Sequence, residues 1–465
     1  MDAGIVLILG QDGITSGAIY ALLAIALVLI FSVTRVIFIP QGEFIAFAAL
    51  TLAALQSGKV PGTVWLLVAM GAFVALIDGV ARLRDRDTEG LGSLLGWNLA
   101  YPLALAALLY GVNPGELAMP LQIALTLAIL VPLGPMIYRI AYQPIADTSV
   151  LVLLIASVAV HLMLTGLGLV FFGAEGVRTA PFSEGSLVLG EVSISLQTLW
   201  VVGCSLTFIV GLYAFFARTI YGKALRATAV NQSGAKLMGI SPVVAGKLTF
   251  LLAALLGVFS GLLIGPITTI YYDTGFLIGL KGFVAAIIGG LASYPLAAGG
   301  AVLVGLLEAG AAAFFRSGFR HLCIINHHLE PGQLAALAQA QRRIAEAHGP
   351  HAVSLPAVIS RRWGGQLGAE FRSGACHAGR YEGSLVLAVT PERVDLATAA
   401  SLPEVAVSLS AAIGAGATSF VEAGAHQAYT GSPQAASAAE GASLYAVLAT
   451  MVATEVLESL EKLPA

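Results

Sequence analysis

The sequence predicts an all-α polytopic membrane protein of about eight to ten hydrophobic segments, carrying a partial α/β domain at its C-terminal end. Three observations predict it. Hydrophobic residues make up 58% of the 465 residues and charged residues 11%, where soluble chains carry about 25% charged residues. The mean hydropathy is +0.89. The average also hides a break. Residues 316–465 hold 22 of the 49 charged residues, and seven of the eight histidines lie at or after His321. Two units are therefore expected, 1–315 and 316–465.

A helical span needs about 20 apolar residues to cross about 30 Å of hydrocarbon. Candidate segments lie at 13–33, 41–56, 63–80, 96–111, 119–137, 148–172, 196–217, 248–270, 275–292 and 295–315. Several are short or broken by Gly and Pro, which suits re-entrant segments inside the protein or along a cavity. The N-terminus enters an apolar helix with no basic stretch ahead of it, so no cleavable signal is expected. Cys204, Cys323 and Cys376 are too few and too scattered for a disulfide framework or a zinc knuckle. A net charge of −3 argues against nucleic acid as a partner.

Orientation follows Lys and Arg. The loop 218–247 carries Arg218, Lys223, Arg226, Lys236 and Lys247 and no acid, so it should face the cytoplasm. Arg35, Arg82 and Arg139 fall on the same side, and the acidic loop 173–195 on the other. The basic loop is also amphipathic, with a Gly-Ile-Ser-Pro stop at 239–242. It is either an ordinary positive-inside loop or a helix that docks on a cytoplasmic motor. Glu43, after Pro40-Gln41-Gly42, either faces a translocation path or snorkels to the interface near Arg35. Gly289-Gly290 and Gly299-Gly300 permit close helix packing or a broken helix. His161 reads as a hydrogen-bonded packing residue rather than a ligand.

Five stretches carry a resemblance: GITSGAIYALLAIALVLIF (13–31), RVIFIPQGEFIAFAAL (35–50), RIAYQPIADTSVLVLLIASV (139–158), GKALRATAVNQSGAKLMGI (222–240) and GLKGFVAAIIGGLASYPLAAGGAVLVGLLEA (279–309). In this order they resemble the permease subunits of branched-chain amino acid ABC transporters of the high-affinity type. The resemblance implies a multi-pass protein of the bacterial inner membrane with no cofactor of its own. It implies a second permease subunit, cytoplasmic ATP-binding subunits gripping the loop at Gly222, Lys223, Arg226, Ala229 and Gly239, and a periplasmic amino acid-binding protein. In that family a further hydrophobic helix follows the segment ending near Phe315. Nothing after residue 315 reads as apolar and long enough to span, so the last helix is expected to be missing.

Residues 316–465 read as α/β. RHLCIIN (320–326) and AVSLPAV (352–358) are strand candidates, while 331–349 and 432–463 are helical in pattern. Asn326-His327-His328-Leu329-Glu330 closes the first strand, and His377 and Glu382 stand five apart around a glycine. A His and a Glu two apart at a strand end can reach neighbouring metal ions. With GSPQAASAAEG (431–441), these blocks resemble the second half of the creatininase family of metal-dependent amidohydrolases. The resemblance implies that His328 and Glu330 are ligands of two divalent ions, Zn or Mn, and that His377 and Glu382 orient substrate and move protons, with Trp363 lining the pocket. The family's first half brings a Glu-x-His pair and a bridging Asp, and no Glu-x-His pair occurs before residue 316. Half the ligand shell is absent, so neither a stable binuclear centre nor hydrolysis is expected.

Three readings follow: a transport permease with a vestigial hydrolase tail, a membrane-tethered amidohydrolase, or a non-functional join of two truncated genes. The motifs of 1–315 favour the first.

Overall fold

A computed structural model describes residues 3–463 apart from 85, 87–89, 190–191, 317, 328–330, 376 and 418. The chain divides into two units, Met1–Ala313 and Phe314–Ala465.

Unbroken runs of Leu, Ala, Val and Ile make the helices of the first unit, because only a helix satisfies its own backbone in lipid. They are α1 (Ala3–Thr34), α2 (Glu43–Gln56) and α3 (Thr63–Arg84). Next come α4 (Leu91–Gly111), α5 (Met119–Ile145), α6 (Val150–Phe172) and α7 (Leu196–Arg218). Two short helices, α8 (Ile220–Val230) and α9 (Gln232–Leu237), precede α10 (Pro242–Ile264), α11 (Thr274–Ile288) and α12 (Tyr294–Arg316). Starts are set by side-chain caps: Ser149, Ser195, Thr219, Asn231 and Ser241 each accept a backbone N–H of the helix that follows. Between α6 and α7 lies an antiparallel pair, β1 (Ser186–Leu189) and β2 (Val192–Ser195), in register Ser186 with Ser195.

The core sits where α1, α2 and α10 meet, with Leu22, Leu23, Ile45, Leu52, Ala253 and Leu262 fully buried. Glycines let the backbones touch. A Cβ on Gly261 would overlap the Ile45 carbonyl, and one on Gly257 would lie 2.8 Å from Phe44 Cβ. By contrast Leu151, Leu162 and Val170 on α6 face outward, as lipid-facing side chains do.

Two of the apolar helices are short, although α2 together with the turn Ile39–Gly42 makes an apolar segment of 18 residues. With 14 and 15 residues, α2 and α11 span about 21–23 Å, short of the hydrocarbon thickness of about 30 Å. Arg35, at φ 60, ends α1. Pro40 then shapes a tight turn over Ile39–Gly42 before α2 begins. The first turns of α2 and α11 abut: a Cβ on Gly42 would overlap the Gly275 carbonyl, and one on Gly275 the Gly42 carbonyl. The segment read as 275–292 is thus helical only to Ile288. Gly290 and Leu291, both at positive φ, turn the chain into α12. Of the glycine pairs, Gly300 packs against Ile288, while Gly299 meets open space.

In the second unit the two strand candidates shrink to β3 (Leu322–Cys323) and β4 (Val353–Ser354), a parallel pair. Two strands alone are marginal, and among the described residues no third strand joins them. Helices carry the unit: α13 (Pro331–His348), α14 (Arg380–Val389) and α15 (Ala438–Leu460). α14 and α15 cross where Gly441 meets the Ser384 carbonyl. Trp363, Leu367, Phe371, Tyr381, Leu444 and Met451 fill the core around them.

Ten described helices are long and apolar enough to cross a membrane, judged by length and composition. Nine lie in the first unit, and the tenth is α15. This corrects the expectation that nothing after residue 315 qualifies. Alanine and valine raise the hydropathy of α15, and its acids, Glu440, Glu455 and Glu458, lie near its ends.

Candidate functional site

The basic loop forms α8 and α9, a helical elbow rather than one helix. Thr219 Oγ1 accepts the Gly222 N–H at 2.9 Å, and Asn231 Oδ1 accepts the Gly234 N–H at 2.8 Å. Gly222 must be glycine, because a Cβ there would overlap the Phe215 carbonyl. The inner face of α8 is anchored: Leu225 packs with Leu29 and Val33 of α1, Phe216 of α7 and Ala245 of α10. The outer face is unusual for an aqueous surface. Ile220, Val230, Leu237 and Met238 are all more than 80% exposed, beside the exposed Lys223, Arg226 and Lys236. Lys223, Arg226, Val230, Asn231 and Met238 line a groove there. Ala229 is half-buried, and Gly239, at φ 81, ends α9.

Glu43 does not snorkel. It is 1% exposed, and its Oε1 lies 2.7 Å from His161 Nδ1 on α6. The His161 ring packs 4.7 Å from Phe276 on α11, so this imidazole joins α6 to the junction of α2 and α11. Among the described residues Glu43 Oε2 has no hydrogen-bond partner, nor has the Gln41 Oε1. The Gln41 amide donates to the Ala253 carbonyl at 2.9 Å.

A second polar cluster lies in the same unit. Tyr20 Oη donates to Glu308 Oε2 at 2.8 Å. Lys281 Nζ donates to Tyr20 Oη at 2.9 Å and also to Glu308 Oε1. Sequence reasoning assigned these residues no role. The signal was there: one Lys and one Glu inside otherwise apolar segments.

In the second unit, His377 and Glu382 do come together, with Nδ1 3.8 Å from Oε2. Both are more than a third exposed. Glu382 Oε2 also accepts the Ala378 N–H at 2.7 Å, holding that residue at φ 51. His327 hydrogen-bonds the Tyr381 hydroxyl at 2.8 Å, and burial pushes its imidazole below the usual range while Glu382 pulls the other way. Trp363 is enclosed in the core of this unit. It is 4% exposed, and its Nε1 donates to Glu455 Oε1 at 2.6 Å. His328 and Glu330 lie outside the described residues. Among the described residues no three His, Cys, Asp or Glu side chains are grouped to hold a metal ion. His377 and Glu382 by themselves do not suffice for one.

Comparison with known proteins agrees with the membrane architecture. The family model described as branched-chain amino acid transport system / permease component matches residues 90–324, just over half of the chain, and the chain belongs to that family. It is similar to the high-affinity branched-chain amino acid transport system permease protein LivH of Escherichia coli, 25% identical over 324 residues, covering 66% of this chain and 87% of the relative. It is similar to BraD of Pseudomonas aeruginosa, 28% identical over 276 residues, covering 58% and 89%. A probable LivH of Methanocaldococcus jannaschii is 29% identical over 207 residues, covering 42% and 65%. The creatinine amidohydrolase model matches residues 294–456. The two matched stretches overlap across α12. No solved structure matches. The chain is thus a multi-pass membrane transporter subunit with a creatininase-like C-terminal part.

Proposed function

We propose that this chain is the permease subunit of an ABC importer moving branched-chain or related amino acids across the bacterial inner membrane. Separate ATP-binding subunits drive it, a second permease subunit completes the pathway, and a periplasmic binding protein delivers the solute. The observation that carries this reading is the outer face of α8 and α9. Large apolar side chains beside three cations, on a short helical elbow between two spans, suit a protein partner. Because Leu225 is wedged among α1, α7 and α10, a partner that moves α8 moves the helices that clasp α2 and α11. Glu43 contributes through its buried link to His161, which ties α2 to α6, rather than by lining an open channel.

The test is co-purification. The full chain, expressed with its ATP-binding subunits, should retain them, and K223E/R226E should lose them. Retention by the charge-reversed chain overturns the reading. The creatininase-like part is proposed to be inactive and to bind no stoichiometric metal. Elemental analysis finding bound Zn or Mn, with amidase activity lost in His377→Ala, would favour the tethered hydrolase instead.

A further inference from the structure

We infer that Lys281, Glu308 and Tyr20 form a polar station on the solute's route, where the head group of a zwitterionic amino acid rests with its ammonium at Glu308 and its carboxylate at Lys281. The inference rests on the permease reading above and names the side chains its substrate would meet.

Position comes first. Tyr20 lies at the centre of the apolar stretch Leu7–Thr34. Lys281 is the middle residue of α11. Glu308 stands eight residues before the end of α12, about 12 Å along its axis. All three belong to apolar helices of the first unit, and those of Tyr20 and Glu308 are long enough to cross a membrane. Glycines hold them close: a Cβ on Gly13 would come within 2.7 Å of Leu306 Cα, one on Gly17 within 2.8 Å of Val302 Cα, and one on Gly282 within 2.5 Å of Leu23 Cβ.

Exposure decides between glue and site. The Glu43–His161 pair is closed, with side chains 2% and 12% exposed. The Lys281–Glu308 pair is open, at 17% and 41%. Hydrocarbon cannot solvate a carboxylate, and ionisable groups within membrane segments face the bundle interior or a water-filled cavity. The open side of Glu308 therefore fits water or a solute in water better than hydrocarbon. One fixed cation beside one fixed anion is electrically neutral as a unit. It matches a ligand carrying one charge of each sign, whereas an α-hydroxy acid adds a negative charge with no ammonium to offer Glu308. The Tyr20 hydroxyl, bonded to both, fixes their spacing.

Val304 lies one turn before Glu308 on the same face of α12 and is only partly buried, so a cysteine there reports on the site. Val304→Cys is placed in the full chain with Cys204, Cys323 and Cys376 replaced by Ser. A membrane-impermeant methanethiosulfonate should label it in sealed vesicles. Millimolar L-leucine should slow labelling several-fold, and 2-hydroxy-4-methylpentanoate should not. Adding Glu308→Gln should abolish the protection by leucine. If that variant fails to reach the membrane, Tyr20→Phe replaces it and should weaken protection several-fold. A cysteine that is not labelled, or protection unchanged by these variants, or equal protection by the hydroxy acid, overturns the inference. Failure of the permease reading would register separately, as absence of ATP-driven leucine uptake by the wild-type complex.

Discussion

Removing the imidazole of His161 should be among the most damaging single changes to the first unit. The Glu43 side chain is 2% exposed, one of its oxygens has no hydrogen-bond partner among the described residues, and the other is served by His161 at 2.7 Å. His161→Ala leaves a carboxyl group in the core with its strongest contact gone. Breaking a buried pair from one side costs about 3–5 kcal/mol. That is roughly two to three and a half powers of ten in the folding equilibrium, at about 1.4 kcal/mol per tenfold. Glu43→Gln keeps the shape and removes the charge, so it should cost less, about 1–2 kcal/mol. The double variant E43Q/H161A no longer buries an unpaired acid and should recover most of the loss. Unfolding in mixed detergent micelles, followed for wild type, both single variants and the double, gives the coupling energy directly. Two outcomes would refute the reasoning: His161→Ala within about 0.5 kcal/mol of wild type, or purely additive single effects.

Other expectations follow from the packing. Gly42→Ala drives a methyl into the Gly275 carbonyl and should cost about 1–3 kcal/mol, seen as a lower thermal midpoint in detergent. Gly299→Ala meets open space on the same unit's last helix and should be neutral or gain up to about 1 kcal/mol. Trp363→Phe removes the donor to Glu455 and should loosen the second unit by about 1.5–3 kcal/mol, read as faster limited proteolysis after residue 330 in the full chain. Gly222→Val forces α8 away from Phe215 and should abolish capture of the ATP-binding subunits while leaving the chain in the membrane.

What the sequence made legible was local. Each span shows as an apolar run, and the caps Ser149, Ser195 and Ser241 mark starts that hydropathy alone blurs. The long segment read as 248–270 in fact begins at Pro242, because its first turns hold Lys247 and little greasy bulk. What stayed hidden was pairing at a distance. Glu43 and His161 are 118 residues apart, Gly42 and Gly275 further still, and nothing in either neighbourhood names its mate. The snorkelling alternative for Glu43 does not fit its burial, because the distant His161 encloses the carboxyl group. In the second unit the helices were readable, whereas the strands were overestimated. A run such as RHLCIIN is apolar enough for a strand, but a strand extends only as far as a neighbour offers hydrogen bonds.

α15 carries a consequence for biogenesis. A cell sorts nascent segments by greasiness and length before any tertiary structure exists to shield them. By that test α15 resembles the nine apolar helices that precede it, although its buried side chains, Leu444 and Met451, belong to a folded core. Its fate is then a race between collapse onto α14 and capture by the insertion machinery, and the acids near its two ends bias the outcome. Insertion would add one crossing and set the final residues on the opposite face of the bilayer, so folding of the tail guards the chain's topology.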